Sequence, residues 1–184
     1  RLRDGCHNEH RGLRLLFMEI TLDQLLASRE ERASFQKELL KGYPGKTLVC
    51  LTVIMPGKVK RNLQSLVVAQ AAVTAMVSAF EGSTLSLRLR DLPTGYEAYL
   101  VTPLSNEEAK RETCRIEDTH PLGRLFDLDV IDADGVPVSR KEIGQEPRKC
   151  LICGNEACYC MRNRTHTMDE LTAKIDEMIE SYVR

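Results

Sequence analysis

From Thr47 to Met55 the chain runs Thr-Leu-Val-Cys-Leu-Thr-Val-Ile-Met without one charged residue. A run this apolar and this rich in β-branched side chains reads as a strand buried on both faces, at the centre of a sheet. It obliges the rest of the chain to supply strands at its edges and cover for its faces. Pro56-Gly57 stops it.

The flanking segments can meet that demand. Residues 21–41 carry Leu22, Leu25, Leu26, Phe35, Leu39 and Leu40 at helical spacing, with Thr21 as N-cap. Asn62 opens a second helix, 63–81, with Leu66, Ala69, Val73, Met76, Val77 and Phe80 on its apolar side. Residues 83–90 and 96–102 read as two strands joined through 91–95. A short helix over 105–111 and a strand over 113–118 follow. Leu125 to Ile131 forms the next strand, and Asp134-Gly135 turns the chain back into 136–141. Thr167 caps a last helix, with Leu171, Ile175, Met178, Ile179 and Tyr182 on one stripe. The order predicts an α+β domain with a mixed or mostly antiparallel central sheet flanked by helices. Residues 18–147 are expected to form that domain. Residues 148–184 form a Cys/His-rich segment and a helix packed on it. Residues 1–17 are basic and poorly patterned. They are expected to be upstream or added sequence, largely unstructured, before a natural start at Met18.

Asp127 and Asp129 interrupt the strand at 125–131. Side chains two apart on a strand share a face, so both carboxylates project together. Adjacent anions repel unless a cation lies between them, and hard oxygen ligands suit Mg²⁺. His120, Gly123 and Arg124 border the acids. The pattern fits a metal-dependent phosphoryl or nucleotidyl transfer site, and equally a strand with a solvated acidic face.

Other cations carry paired readings too. Lys58, Lys60 and Arg61, between a strand and a helix start, fit a phosphate cradle or plain surface lysines. Arg88 and Arg90 alternate with Leu85, Leu87 and Leu89, which gives an anion-binding face or an exposed sheet face. Arg29 and Arg32, among Glu30 and Glu31, read on composition as a solvated helix face.

Of seven cysteines, four crowd into residues 150–160. Cys150, Cys153, Cys160 and His166 make a plausible Cys₃His set for tetrahedral Zn²⁺, with Cys158 spare or in place of Cys160. Reduced, partly buried thiols are the other reading. Arg148, Lys149, Arg162 and Arg164 make the same segment basic. The net charge of −1 gives no general attraction to nucleic acid or anionic membrane, so neither is expected as a partner. No apolar run approaches a membrane span, no secretory signal is evident, and a reducing cytoplasm is the expected setting.

Several of these pieces together resemble a known family. They are Ser28-Arg-Glu-Glu-Arg32, Pro56-Gly57, His120-Pro-Leu-Gly-Arg-Leu-Phe-Asp-Leu-Asp-Val130, Ser139-Arg140, and Arg148-Lys-Cys-Leu-Ile-Cys153 through Cys160 and Thr165-His166. The chain resembles the holo-citrate-lyase synthases, also called apo-citrate lyase phosphoribosyl-dephospho-CoA transferases, from about residue 20 onward. The resemblance implies a nucleotidyltransferase-like fold and a nucleotidyl transfer. The donor is 2′-(5″-triphosphoribosyl)-3′-dephospho-CoA, the acceptor is a serine of the acyl carrier subunit of apo-citrate lyase, and pyrophosphate leaves. On that reading Asp127 and Asp129 hold Mg²⁺. Arg124 and His120 contact the triphosphate, with Lys58, Lys60, Arg29, Arg32, Arg88, Arg90 and Arg148 as further donor-binding cations. Two rival readings are a nucleotidyltransferase serving another phosphoribosyl-dephospho-CoA carrier, and a non-catalytic zinc knuckle that binds the carrier.

Overall fold

The structure is a computed structural model and describes residues 18–184. The expectation for residues 1–17 lies outside the described residues. Helix α1 spans Leu22–Gly42, strand β1 Thr47–Val53 and helix α2 Leu63–Ala79. Strands β2 (Ser86–Leu92) and β3 (Gly95–Thr102) form a hairpin, then helix α3 spans Asn106–Thr119. Strand β4 (Phe126–Ile131) and a short β5 (Pro137–Val138) complete the sheet. Helix α4 spans Ala157–Asn163 and helix α5 Met168–Val183.

The sheet has five strands in the order β2-β3-β1-β4-β5, and every pairing is antiparallel. The uncharged run sits at the centre, where Leu48 and Val49 are fully buried. Four helices start with reciprocal capping boxes. Thr21, Asn62, Ser105 and Thr167 each accept from the third residue on, whose side chain reaches back.

Alternation gives the sheet two unlike faces. Val49, Leu51, Ala98, Leu100, Phe126, Leu128 and Val130 pack under α2, α3 and α5 in the main core. The opposite face meets α1. There Leu48, Cys50, Tyr99, Val101 and Ile131 form a smaller cluster with Leu40, joined by Phe35, Leu39 and Tyr43. That cluster lies under the C-terminal half of α1. The N-terminal half lies over polar strand residues, and Leu22 and Leu26 stay exposed despite their helical spacing.

Three local expectations need correction. Asn106–Thr119 forms one helix, capped by Ser105, not a short helix and a strand. Thr113 and Ile116 favour strand locally. However, Ala109, Thr113 and Ile116 recur at helical spacing and are all buried, so tertiary packing overrides propensity. The hairpin is tighter than 91–95, because Leu92 pairs with Gly95 and only Pro93 and Thr94 lie outside the ladder. The strand over 136–141 shrinks to Pro137–Val138, and Lys141–Ile143 turns into a 3₁₀ helix. Arg140 there is engaged by Glu117 and Asp118, which ends the extended run.

Candidate functional site

The acids stand on the α1 side of the sheet. Asp127 pairs across the ladder with Thr52, and Asp129 with Cys50. Thr52 in turn faces Glu97, and Glu97 faces Arg90. One row of side chains therefore crosses four strands as Arg90, Glu97, Thr52 and Asp127. The Thr52 hydroxyl donates to Asp127 Oδ2 at 3.3 Å. Two residues of extended chain separate the acids by roughly 7 Å. Asp129 reaches solvent, but protein mass packed around it raises its carboxyl above the ordinary range, and the Asp127 charge raises it further. Two such carboxylates suit a divalent cation.

Helix α1 brings cations to this floor. Arg32 Nε donates to Glu97 Oε1 at 3.0 Å, and the Ser28 and Thr94 hydroxyls lie 2.9 Å apart. Lys60 donates to the Met55 carbonyl at 2.7 Å. Its ammonium is held below the usual lysine range by burial, then by repulsion from Arg29. Arg29 and Lys60 thus lie near each other beyond the end of β1, while Arg32, like Arg90, is answered by Glu97. Gly57, with φ +79°, makes the preceding turn in the left-handed region that glycine enters without strain.

The remaining cations differ. Arg90 bonds Glu97 at 3.3 Å, lies 3.6 Å from Glu31 and covers the Phe35 ring, so its charge is answered inside the fold. Arg88 is exposed on the edge strand and donates to its neighbour's carbonyl. Lys58 is exposed and meets Glu19 at 3.5 Å. Arg124 is half-buried, and its guanidinium is weakened first by desolvation and then by the Arg148 charge beside it. Arg148 lies 3.5 Å from Asp127 Oδ1.

His120 lies elsewhere. Its ring stacks on Phe126 and Tyr182 at 4.8 and 5.5 Å, on the helix-packed side of β4. Its Nδ1 accepts from the Leu122 N–H at 3.0 Å, and desolvation lowers its basicity. The histidine ends α3 and shapes the turn into β4. Gly123 in that turn has no room for a side chain, since a Cβ would lie 2.4 Å from the Glu117 carbonyl oxygen.

Sequence reasoning passed over Thr52, Glu97 and Glu117. Glu97, buried to 2% exposure, also accepts from the Tyr99 hydroxyl at 2.5 Å. Burial and this carboxylate push the Tyr99 phenol up. The available signal was an acid inside an otherwise apolar strand.

The C-terminal segment brings its own set together. One ligand atom each from Cys150, Cys153, Cys160 and His166 lies within 4.8 Å of all the others. The Cys153 and Cys160 sulfurs are 3.5 Å apart, and the Ile152 N–H points at Cys150 Sγ at 3.5 Å. His166 Nε2 is buried without a hydrogen-bond partner. Burial works against the Cys150 thiolate, but N–H donors from Cys153 and Ile152 together with the Cys160 and Cys153 thiols bring the thiol down to about 6. Burial and the two neighbouring thiols push Cys160 up to about 11. Tetrahedral coordination at Zn–S distances near 2.3 Å requires ligand atoms about 3.5–4 Å apart, so this cluster can accept a metal ion with little movement.

Two hollows accompany these groups. A cleft of 230 Å³ opens between the Met55–Val59 loop and α5, lined also by Asn62, Gln64, Ile175 and Asp176. A larger open groove of 580 Å³ lies between α1 and Arg90, walled by Glu30, Glu31 and Glu38. Its acidic wall makes it unsuited to a polyphosphate. Among the described residues no helix is long and apolar enough to cross a membrane.

Comparison with known proteins places the chain among transferases. A family model described as apo-citrate lyase phosphoribosyl-dephospho-CoA transferase matches residues 20–182. A probable apo-citrate lyase phosphoribosyl-dephospho-CoA transferase of Vibrio cholerae is 40% identical over 169 residues, covering 90% of this chain and 94% of that one. One of the same description from Streptococcus pyogenes is 37% identical over 167 residues, covering 89% and 87%. Protein CitXG of Haemophilus influenzae is 38% identical over 167 residues, 89% of this chain but 36% of its own. The chain belongs to the apo-citrate lyase phosphoribosyl-dephospho-CoA transferase family.

Proposed function

We propose that this protein transfers the phosphoribosyl-dephospho-CoA group from its 2′-(5″-triphosphoribosyl)-3′-dephospho-CoA donor to a serine of the apo-citrate lyase acyl carrier subunit. The serine oxygen forms a bond to the phosphorus nearest the ribose, and pyrophosphate leaves. The observation that carries this reading is the shared face of Asp127 and Asp129, with Thr52 beside them and Arg29 and Lys60 beyond the end of β1. The carboxylates are a fitting pair for Mg²⁺, which when bound lowers the charge on the attacked phosphate and stabilises the leaving group. Asp127 is held by the Thr52 hydroxyl on one oxygen and faces Arg148 on the other, so its orientation is set before any donor arrives. Asp129 favours a cation because burial and the Asp127 charge outweigh the help that Lys110 and Arg32 give its carboxylate. Arg29 and Lys60 repel each other, and a polyphosphate between them relieves that repulsion. Arg124, weakened by burial and then by Arg148, gains in the same way. Chemistry of this kind matches the nucleotidyltransferase class.

Cys150, Cys153, Cys160 and His166 are assigned one structural Zn²⁺. The orphaned His166 nitrogen and the converging sulfurs favour a closed four-ligand site, with no position left open for catalysis. Elemental analysis after gentle purification should find about one zinc per chain.

The direct test is incubation with apo-carrier, donor and Mg²⁺, read by intact mass. The expected result is a carrier heavier by one phosphoribosyl-dephospho-CoA group. A carrier of unchanged mass would remove the proposal.

A further inference from the structure

We propose that Arg148 is a positioning residue that replaces the missing neighbour of β4 and thereby fixes Asp127, and that the Cys/His knot holds Arg148 in that place. The role of Asp127 itself rests on the functional reading above. Strand β5 pairs with β4 only at Val130 and Ile131. The outward backbone groups of Phe126 and Leu128, on either side of Asp127, therefore have no strand partner. Side chains fill the gap. Arg148 Nη2 donates to the Phe126 carbonyl, to the Arg124 carbonyl at 2.8 Å and to the Gly123 carbonyl at 3.3 Å. The Leu128 N–H donates to Glu117 Oε1 at 2.9 Å. Arg148 Nη1 approaches that same oxygen at 3.7 Å and Asp127 Oδ1 at 3.5 Å. Arg140 anchors the second Glu117 oxygen at 2.6 Å. An arginine–glutamate pair thus satisfies the open edge as a strand would, and it commits both Nη groups of the guanidinium to protein oxygens.

The knot holds Arg148 from behind. The Arg148 carbonyl accepts from the Ala157 N–H at 2.8 Å, at the start of the helix that carries Cys160. Cys150, two residues on, donates its N–H to the Asn155 carbonyl at 2.7 Å, and Lys149 bridges Glu156. Arg148 is therefore part of the same small hairpin whose ends the four ligand residues tie.

The test uses the full chain with its metal and compares wild type, Arg148→Gln and Arg148→Lys. Readouts are zinc content, amide hydrogen exchange across residues 126–130, the Mg²⁺ concentration for half-maximal transfer, and the KM for donor at saturating Mg²⁺. Arg148→Gln should keep its zinc, exchange faster at Leu128 and need roughly tenfold more Mg²⁺, with donor KM nearly unchanged. Arg148→Lys should not rescue, because one ammonium cannot span the carbonyls and both carboxylates. Stripping zinc from wild type with a zinc-selective chelator should speed Leu128 exchange in the same way, and add little in the Arg148→Gln background. A raised donor KM with unchanged Leu128 exchange would overturn the proposal and return Arg148 to the substrate. If Arg148→Gln does not fold, the zinc-stripped wild type decides, and unchanged exchange there overturns the link to the knot. Asp127→Asn, run alongside, separates the two ideas. Wild-type transfer by that variant would sink the functional reading, while the exchange results would still stand or fall by themselves.

Discussion

The two faces of the sheet are built from the same strands and have opposite characters. Strand β4 alone gives Phe126, Leu128 and Val130 to the helix-covered face, and Asp127 and Asp129 to the face that α1 crosses. The first face is closed by three helices and aliphatic packing. The second is closed only at one end, by the Leu40–Tyr99 cluster, and the other end is left as a polar floor. The lesson is that a period of two lets one segment anchor a fold and carry chemistry together. Neither set can shift register without destroying the other.

That division can be broken one face at a time. Asp127→Asn should reduce carrier modification roughly a thousandfold, about 4 kcal/mol of barrier, with a melting temperature close to wild type. Kinetics and calorimetry on one preparation check it, and a large loss of stability would mean that the faces are not separable. Leu128→Ala, one residue on, should do the reverse. A cost of about 2–5 kcal/mol is expected in denaturant unfolding, with an unchanged Mg²⁺ requirement in the folded fraction. Gly123→Ala should cost about 1–3 kcal/mol, because its new methyl group would meet α3 backbone that cannot yield.

The smallest effect concerns pH. The folded-state carboxyl of Asp129 is raised, so the folded protein binds a proton more readily than the unfolded chain does. The resulting penalty is absent below the unfolded pKa, grows as pH rises through the folded one, and is full above it. Asp129→Asn should therefore raise the melting temperature slightly at pH 7 without added metal, and leave it unchanged well below pH 4. A lower melting temperature at pH 7 would mean that the charge is already answered within the fold.

Much of this was legible in the sequence because it depends on local rules. The uncharged run dictated a central strand, capping residues set the starts of α1, α2 and α5, and alternation put both acids on one side. Cysteine spacing selected the same four groups that converge in space. What stayed hidden depends on distant partners. Residues 113–118 join α3 because their buried stripe packs on the sheet, chiefly against β4, and that contact is tertiary rather than local. Glu117 and Arg148 lie 31 positions apart and meet only because β5 stops short, an event that no local pattern announces. Glu97 looks misplaced until α1 lays Arg32 over it. His120, drawn to the acids by proximity in sequence, turns to the other face because Phe126 and Asp127 point opposite ways.

The most direct test is to titrate Mn²⁺, as a paramagnetic stand-in for Mg²⁺, into isotope-labelled, zinc-loaded protein and to map amide broadening. The account predicts that signals vanish first around Thr52, Glu97 and Asp127 to Asp129. Broadening centred instead on Glu30, Glu31 and Glu38, with the β4 signals intact, would contradict it.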